Sequence, residues 1–228
     1  MGTITATSII NKAAIQLIDT STVRWTRDEL LGWINDAQRQ IVLAQPNSNN
    51  VVVATKLVAG TRQRVPSDGW LLLDVYRNMG TDGATPGTPV REVSRRVLDS
   101  FRPTWHSETA VTAVTNYLFD LQDQTAFYVY PPADGTGYLE INYSAQPADL
   151  TAESQSIVLY DTVEPAILAY TLAMAFGKDA EFAGNAAMAK FYMDAFQAAL
   201  GAKDKAEQSN DPVEGLFARD PGRKGGSS

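Results

Sequence analysis

The chain has 228 residues, 44% of them hydrophobic, with four Trp and a net charge of −7. This is enough apolar side chain to bury one good core or two small ones sharing an interface. The charge and an isoelectric point near 4.7 argue against a surface that holds nucleic acid or anionic lipid by phosphate neutralisation, which needs clustered Lys and Arg. With no Cys, disulfides, thiolate metal sites and thiol nucleophiles are excluded.

The opening Met1-Gly2-Thr3-Ile4-Thr5 has no basic n-region, so no signal peptide is expected. Ile10, Ala13, Ala14 and Leu17 then recur at helical spacing, with Thr5 or Thr7 as cap. A second helix starts at Thr26, three residues before Glu29 in the arrangement of a capping box. It carries Leu30, Ile34, Ala37 and Ile41 on one stripe and should stop near Pro46. The polar turn Asp19-Thr20-Ser21-Thr22 between them predicts an antiparallel helical hairpin.

From Val51 the pattern becomes β. Val51–Val58 is rich in β-branched residues and is closed by Gly60. Further strands are predicted at Gln63–Val65, Trp70–Asn78, Val90–Val93, Tyr117–Leu121, Ala126–Tyr130 and Tyr138–Ser144, separated by turn formers such as Asp134-Gly135-Thr136-Gly137. Ser94–Phe101 reads as a short helix, and Gly80–Pro89 as an exposed loop able to reach a neighbouring subunit.

Helix returns at Asp161, the expected cap of a segment with Pro165 in its first turn that runs to Phe176. That segment is apolar on nearly every side, so several neighbours should bury it. Even so, its richest run, Ala166–Phe176, is too short to span a membrane, and no membrane partner is expected. A last Ala-rich helix is predicted from Asn185 to about Lys203. Beyond it the polar tail is interrupted by Val213, Leu216 and Phe217, an apolar cluster that is either a docking segment for a partner or part of a plain frayed terminus.

The fold class is therefore α+β: a helical bundle formed by N- and C-terminal helices, with an inserted antiparallel β-rich sandwich or barrel. Residues 1–48 form the N-terminal hairpin, 49–158 the β-rich insertion, 159–206 the helices that complete the bundle, and 207–228 a flexible tail and partner-docking segment.

Chemistry-bearing residues are few. His106 is the single histidine and lies in the aromatic stretch Pro103-Thr104-Trp105-His106-Ser107, where a structural role is expected. There is no Gly-x-Ser-x-Gly elbow and no Gly-x-x-x-x-Gly-Lys-Ser/Thr loop. The carboxylate pairs Asp28/Glu29, Asp120/Asp123 and Asp179/Glu181 read as helix-end, turn and solvent-facing charge. No catalytic residue, metal ligand or cofactor site is assigned, and the chain is expected not to be an enzyme.

Arg91, Arg95 and Arg96 form the densest positive cluster, either a solvated face or a contact with a neighbouring subunit or passing DNA. Trp70, Tyr76, Tyr117, Phe119, Phe127, Tyr128, Tyr130, Tyr138 and Tyr143 should divide by alternation between a β-core and an outward face usable at an interface. The partner-binding candidates are thus Arg91, Arg95, Arg96, Val213, Leu216 and Phe217.

Four stretches together carry a resemblance: Trp25–Gln38, Leu73–Met79, Phe127–Pro132 and Lys178–Asn185. In them the chain resembles the phage head-to-tail adaptor (connector) family, similar in layout to the tail tubular protein A type adaptors of short-tailed phages. The resemblance implies a virion structural protein at the head–tail junction, assembled in the host cytoplasm as a homo-oligomeric ring, commonly of twelve subunits. Its partners would be the portal protein and a tail or nozzle protein, with double-stranded DNA passing through without sequence readout. An acidic lumen would suit such passage, since it repels phosphate. Two other classes stay open: a carbohydrate- or receptor-binding tail component using exposed aromatics such as Tyr128 and Tyr130, and a cell-wall glycan hydrolase using Asp120 and Asp123.

Overall fold

The computed structural model describes residues 2–209 apart from 121, 180 and 182. In chain order the described elements are α1 (Ala6–Gln16), α2 (Arg27–Ala44), β1 (Asn50–Lys56), β2 (Gly60–Arg64), β3 (Gly69–Asn78), β4 (Arg91–Glu92), α3 (Arg95–Phe101), β5 (Asn116–Phe119), β6 (Ala126–Ala133), β7 (Tyr138–Ala145), α4 (Glu164–Lys178) and α5 (Ala183–Ser209). The fold is α+β. The chain divides into two compact units. Among the described residues, a β unit comprises the stretch ending at Thr3, Gln38–Thr151 and Ser156–Tyr160; a helical unit comprises Ile4–Ala37, Ala152–Gln155 and the described chain from Asp161 to Ser209.

The β unit holds two open sheets, β1-β7-β3 and β2-β6-β5-β4. Along β7 every second residue (Leu139, Ile141, Tyr143, Ala145) points inward, as the period of two requires. These residues join Leu72 and Val75 of β3 and Tyr117, Phe127 and Val129 of the other sheet in one buried cluster. The expectation of a sandwich or barrel resolves to two sheets facing across a shared core, with neither closed. Gly60, at φ +107°, helps turn the chain where β1 gives way to β2, and those two strands enter different sheets.

Among the described strands one pair, β4 with β5, departs from the expected antiparallel pairing and runs parallel. The physical reason is the connection. The chain leaves β4 through α3 and a long irregular stretch before entering β5, and parallel neighbours need a crossover of that kind. β6 continues past Tyr130 to Ala133. The Pro132 carbonyl accepts the Val111 N–H at 2.8 Å, so the strand keeps a partner where proline supplies no donor.

In the helical unit, Thr5 caps α1, its Oγ1 accepting the Ser8 N–H at 3.4 Å. The Thr26/Glu29 capping box forms in both directions: the Glu29 carboxylate accepts the Thr26 N–H at 3.1 Å, and Thr26 Oγ1 accepts the Glu29 N–H at 3.3 Å. α4 buries Ala166, Ile167, Ala169, Thr171, Leu172, Ala173 and Ala175, residues spread around most of its circumference.

α4 packs on α1 and α5. Tyr170 meets Phe196 edge-on and Phe176 stacks on Tyr192. Trp25 Nε1 donates to the Ala175 carbonyl at 2.9 Å, and Lys178 pairs with Glu29 at 2.6 Å. The helical ends of the sequence thus meet, as expected. The expected Asp161 cap is corrected. Asp161 opens a 3-10 turn, Asp161–Val163, and its carboxylate accepts the Ile4 N–H at 3.1 Å, while α4 begins at Glu164 with Pro165 in its first turn.

Candidate functional site

α3 is only 7 residues long and points a single buried side chain, Leu98, inward. So short a helix is not stable by itself, and a small aromatic core beneath it supplies the anchorage. Trp105, fully buried, packs with Leu98 of α3 and Leu118 of β5, and Val93, Tyr128 and Tyr130 close around them. Trp105 meets the Tyr128 and Tyr130 rings edge-on at 6.1 and 6.5 Å, and its Nε1 donates to Asp99 of α3 at 2.8 Å. β6 therefore buries aromatic surface on both faces: Phe127 and Val129 toward the other sheet, Tyr128 and Tyr130 toward α3.

His106 belongs to the same arrangement. Its ring stacks on Trp105 with centroids 3.6 Å apart, and Nδ1 shares a 2.8 Å hydrogen bond with Thr61. Partial burial, helped by the Arg95 charge, holds its pKa below the usual histidine value. Tyr128 and Tyr130, the candidate carbohydrate platform, are half-buried against Trp105. Tyr130 further donates its phenol proton to Glu108 at 3.0 Å.

α3 carries two of the arginines singled out in the sequence, Arg95 and Arg96. The Arg95 guanidinium sits over the Tyr128 ring at 4.7 Å and reaches Asp99 at 4.0 Å. Arg96 is exposed on the same short helix, and Arg91 is exposed on β4, its carbonyl accepting from Asn116 Nδ2 at 3.3 Å. Arg102, just past the helix, pairs with Glu108 at 3.7 Å. Arg95 and Arg96 border a cleft of ≈630 Å³ whose wall also holds Glu92, Asp99 and Asp120, so both signs of charge line it.

Two exposed apolar residues, Val97 and Phe101, lie four positions apart on α3. They were not among the sequence candidates. Their signal was present, since Leu98 alone faces in, but it is readable only once the inward side of the helix is known. Val213, Leu216 and Phe217 lie outside the described residues.

The carboxylate pairs have structural partners. Asp123 takes Arg62 at 3.0 Å and Arg64 at 3.2 Å and closes on Thr125, whose hydroxyl, ahead of the arginines, lowers the Asp123 pKa. Asp120 accepts the Gln122 N–H at 3.0 Å, and Asp179 pairs with Arg24. In the exposed loop 80–89, Asp82 accepts the Ala84 and Thr85 N–H groups, each at 3.0 Å, and the Thr85 hydroxyl at 2.7 Å. These bonds hold its pKa at about 2. Among the described residues no group of three His, Cys, Asp or Glu side chains is placed to hold a metal ion, and no helix is long and apolar enough to cross a membrane.

In the helical unit the turn after α1 is the most irregular feature. The Ile18 N–H bonds the Ile15 carbonyl at 3.2 Å and the Asp19 N–H bonds that of Ala14 at 3.0 Å, the paired bonds of a Schellman ending. Asp19 then accepts the N–H groups of Val23, Arg24 and Trp25 at 3.2, 2.9 and 3.1 Å, bonds that lower its pKa. A shallow hollow of ≈380 Å³ lies beside the turn, lined by Leu17, Asp19, Trp25 and Asp179 among others.

With these surfaces described, the comparisons with known proteins give one result. A family model described as SU10 adaptor protein matches residues 4–215. No curated protein matches the chain.

Proposed function

The chain belongs to the SU10 adaptor protein family, and from that premise we propose that it is a head-to-tail adaptor. Copies assemble into a ring, of twelve subunits in this reading, that sits between the portal protein and a tail or nozzle protein and lets double-stranded DNA pass. Its role is structural rather than catalytic, and its place is the head–tail junction of the virion after assembly in the host cytoplasm. The observation that carries the reading is the family match, which spans nearly the whole chain and leaves neither unit outside it.

Residues 1–48 and 159–206 supply the bundle of this adaptor, 49–158 its β-rich insertion and 207–228 a segment that docks on a partner. Arg91, Arg95 and Arg96 belong to a contact surface, because Arg95 and Arg96 share the short helix α3 with the exposed Val97 and Phe101 and Arg91 is exposed on β4; arginines and exposed apolar side chains are a common interface composition. Val213, Leu216 and Phe217 are the anchors of the tail. The acidic chain suits a DNA passage, since a lumen repelling phosphate lets the duplex slide.

Negative-stain imaging of the purified protein, alone and with portal-bearing capsids, tests this. A ring with a central hole is expected, seated on the portal. Particles that stay monomeric in both preparations would sink the adaptor reading. A chain lacking Glu207 to Ser228 is expected to attach to capsids more weakly; undiminished attachment removes the tail from the contact.

A further inference from the structure

Among the described strands the two open sheets have four outer edges, and three of them are blunted. The outer side of β3 is taken by other parts of the chain: the Leu72 N–H bonds the Gln124 carbonyl at 3.1 Å, the Asn78 N–H that of Thr88 at 2.9 Å, and the Tyr76 carbonyl accepts from Val90 at 3.0 Å. β2 has a register break between Gly60 and Arg62 and exposes Arg62 and Arg64, and β4 is only 2 residues long. β1 has none of these devices. It runs in unbroken register against β7 from Asn50 to Lys56, no described strand pairs with its other side, and Val51-Val52-Val53-Ala54-Thr55 holds neither proline nor charge.

The Leu57 N–H bonds the Gly137 carbonyl at 2.9 Å, which sets the alternation along the pair. Val51, Val53 and Thr55 turn their main-chain groups to β7, while Val52, Ala54 and Lys56 turn N–H and C=O outward. The core beneath this edge is unfinished. Val53 and Thr55 stand directly opposite the buried Ile141 and Leu139, so they share the inward face. Yet Val53 is 37% exposed, and Thr55 Oγ1 is shielded without a hydrogen-bond partner among the described residues. A void of ≈70 Å³ lies beside Thr55, lined by Leu57, Phe127, Leu139, Ile141 and the exposed Val58 among others. An unpaired main-chain edge over an unfilled flank suits one kind of occupant, an extended segment that supplies hydrogen bonds outside and an apolar side chain inside.

The described chain ends at Ser209, and residues 210–228 follow it. Within them Pro212 and Pro221 bracket eight residues, 213–220, against the 7 of β1. Proline cannot donate within a ladder, so the two prolines bound a segment able to pair along its whole length. Leu216 and Phe217 are adjacent, and adjacent residues of an extended segment face opposite sides. Whichever register forms, one of the two turns toward Val53. Fully extended, residues 210–228 reach on the order of 60 Å, enough to pass to another copy. An assembly of identical copies also holds one such segment for every edge. We propose that residues 213–220 of one copy add as a strand to the free edge of β1 in the next copy of the ring. The inference rests on the ring reading given above and names the surface on which the tail docks. Donor and edge are different parts of the chain, so the contact propagates around a ring rather than stopping at a pair.

The experiment uses the full chain with the photo-crosslinker p-benzoylphenylalanine in place of Phe217. Rings of it, alone or on portal-bearing capsids, are irradiated, and the joined peptides are identified by mass spectrometry. Crosslinks are expected on residues 50–58 of a different copy, giving a series of covalent multimers on a denaturing gel. Hydrogen exchange read residue by residue is the second measurement. The Val52, Ala54 and Lys56 amides are expected to exchange at least about ten-fold more slowly in unchanged rings than in a chain carrying Leu216→Asp and Phe217→Asp. Ala54→Pro removes one outward N–H and leaves the bonds to β7, so it is expected to unfold thermally like the parent and to assemble more weakly.

Rings in which those three amides exchange as freely as in the doubly substituted chain show this contact to be wrong while the adaptor reading stands. Crosslinks confined to residues 50–58 of the same copy, which leave the chain monomeric on the gel, overturn the exchange between copies. Crosslinks to the portal protein, or to another face of the next copy, assign the tail elsewhere and overturn it as well. An unchanged chain that forms no ring even on portal-bearing capsids overturns the adaptor reading and this contact together.

Discussion

Trp105 shows how one side chain positions a surface it never reaches. It is fully buried, bonds Asp99 through its indole and touches both Tyr128 and Tyr130 edge-on. Trp105→Ala should cost about 3–5 kcal/mol, the range for emptying a large buried aromatic site. Urea denaturation measures the loss, and the fluorescence of the remaining tryptophans follows it. Because α3 has only Leu98 as a second anchor, the arginine surface should loosen before the β unit unfolds; faster amide exchange across residues 95–101 would report it. The sequence assigned a structural role to His106, in an aromatic stretch that includes Trp105. It did not reveal that the Tyr128 ring packed on Trp105 also carries Arg95, because that juxtaposition joins a helix, a turn and a strand through contacts of different sequence separation.

At the scale of elements, patterns with a strong local cause were the legible ones. The Thr26/Glu29 box needs only three residues' spacing, and it forms as the sequence indicated. All seven described strands lie where β-branched or alternating runs predicted, within a few residues at each end. Less legible were the choices made between local options. Asp161 was expected to cap α4 directly, yet a 3-10 turn separates it from that helix and its carboxylate accepts the distant Ile4 N–H. The loop 80–89 likewise looked merely exposed, yet Asp82 ties it into a defined turn.

That loop carries a pH prediction. The Asp82 pKa falls from an ordinary 3.8 to about 2 in the folded chain, because the loop donates three hydrogen bonds to the ionised carboxylate. A depressed carboxylate stabilises the folded loop fully above its unfolded value and loses that contribution as pH falls through the folded one. The Ala84 and Thr85 amide resonances should therefore be constant above about pH 5 and move together as pH approaches 2. Titration of these amides near pH 4 would show that Asp82 is not their acceptor.

At the scale of the whole molecule, the total charge bears on assembly. Each copy carries a net −7, so copies brought together repel one another at long range. Salt screens that repulsion, because the Debye length shortens from about 10 Å at 0.1 M to about 3 Å at 1 M. Raising NaCl across that range should therefore lower the concentration needed for ring formation, read by sedimentation velocity. Ring formation weakened by salt would point instead to a contact joined through opposite charge.

The sequence by itself determined the α+β class, the split bundle, nearly every element and the scarcity of catalytic side chains, because propensity, capping and periodicity are written within a few residues of where they act. It also supplied the stretches that resemble an adaptor. Only the tertiary structure decided that β4 and β5 run parallel, that the sheets stay open, that β6 buries aromatics on both faces and that Ile18 and Phe101 stand in water. Those outcomes depend on which distant segments compete for the same surface. A hydrophobic residue in a sequence looks the same whether a neighbour covers it or leaves it free for a partner.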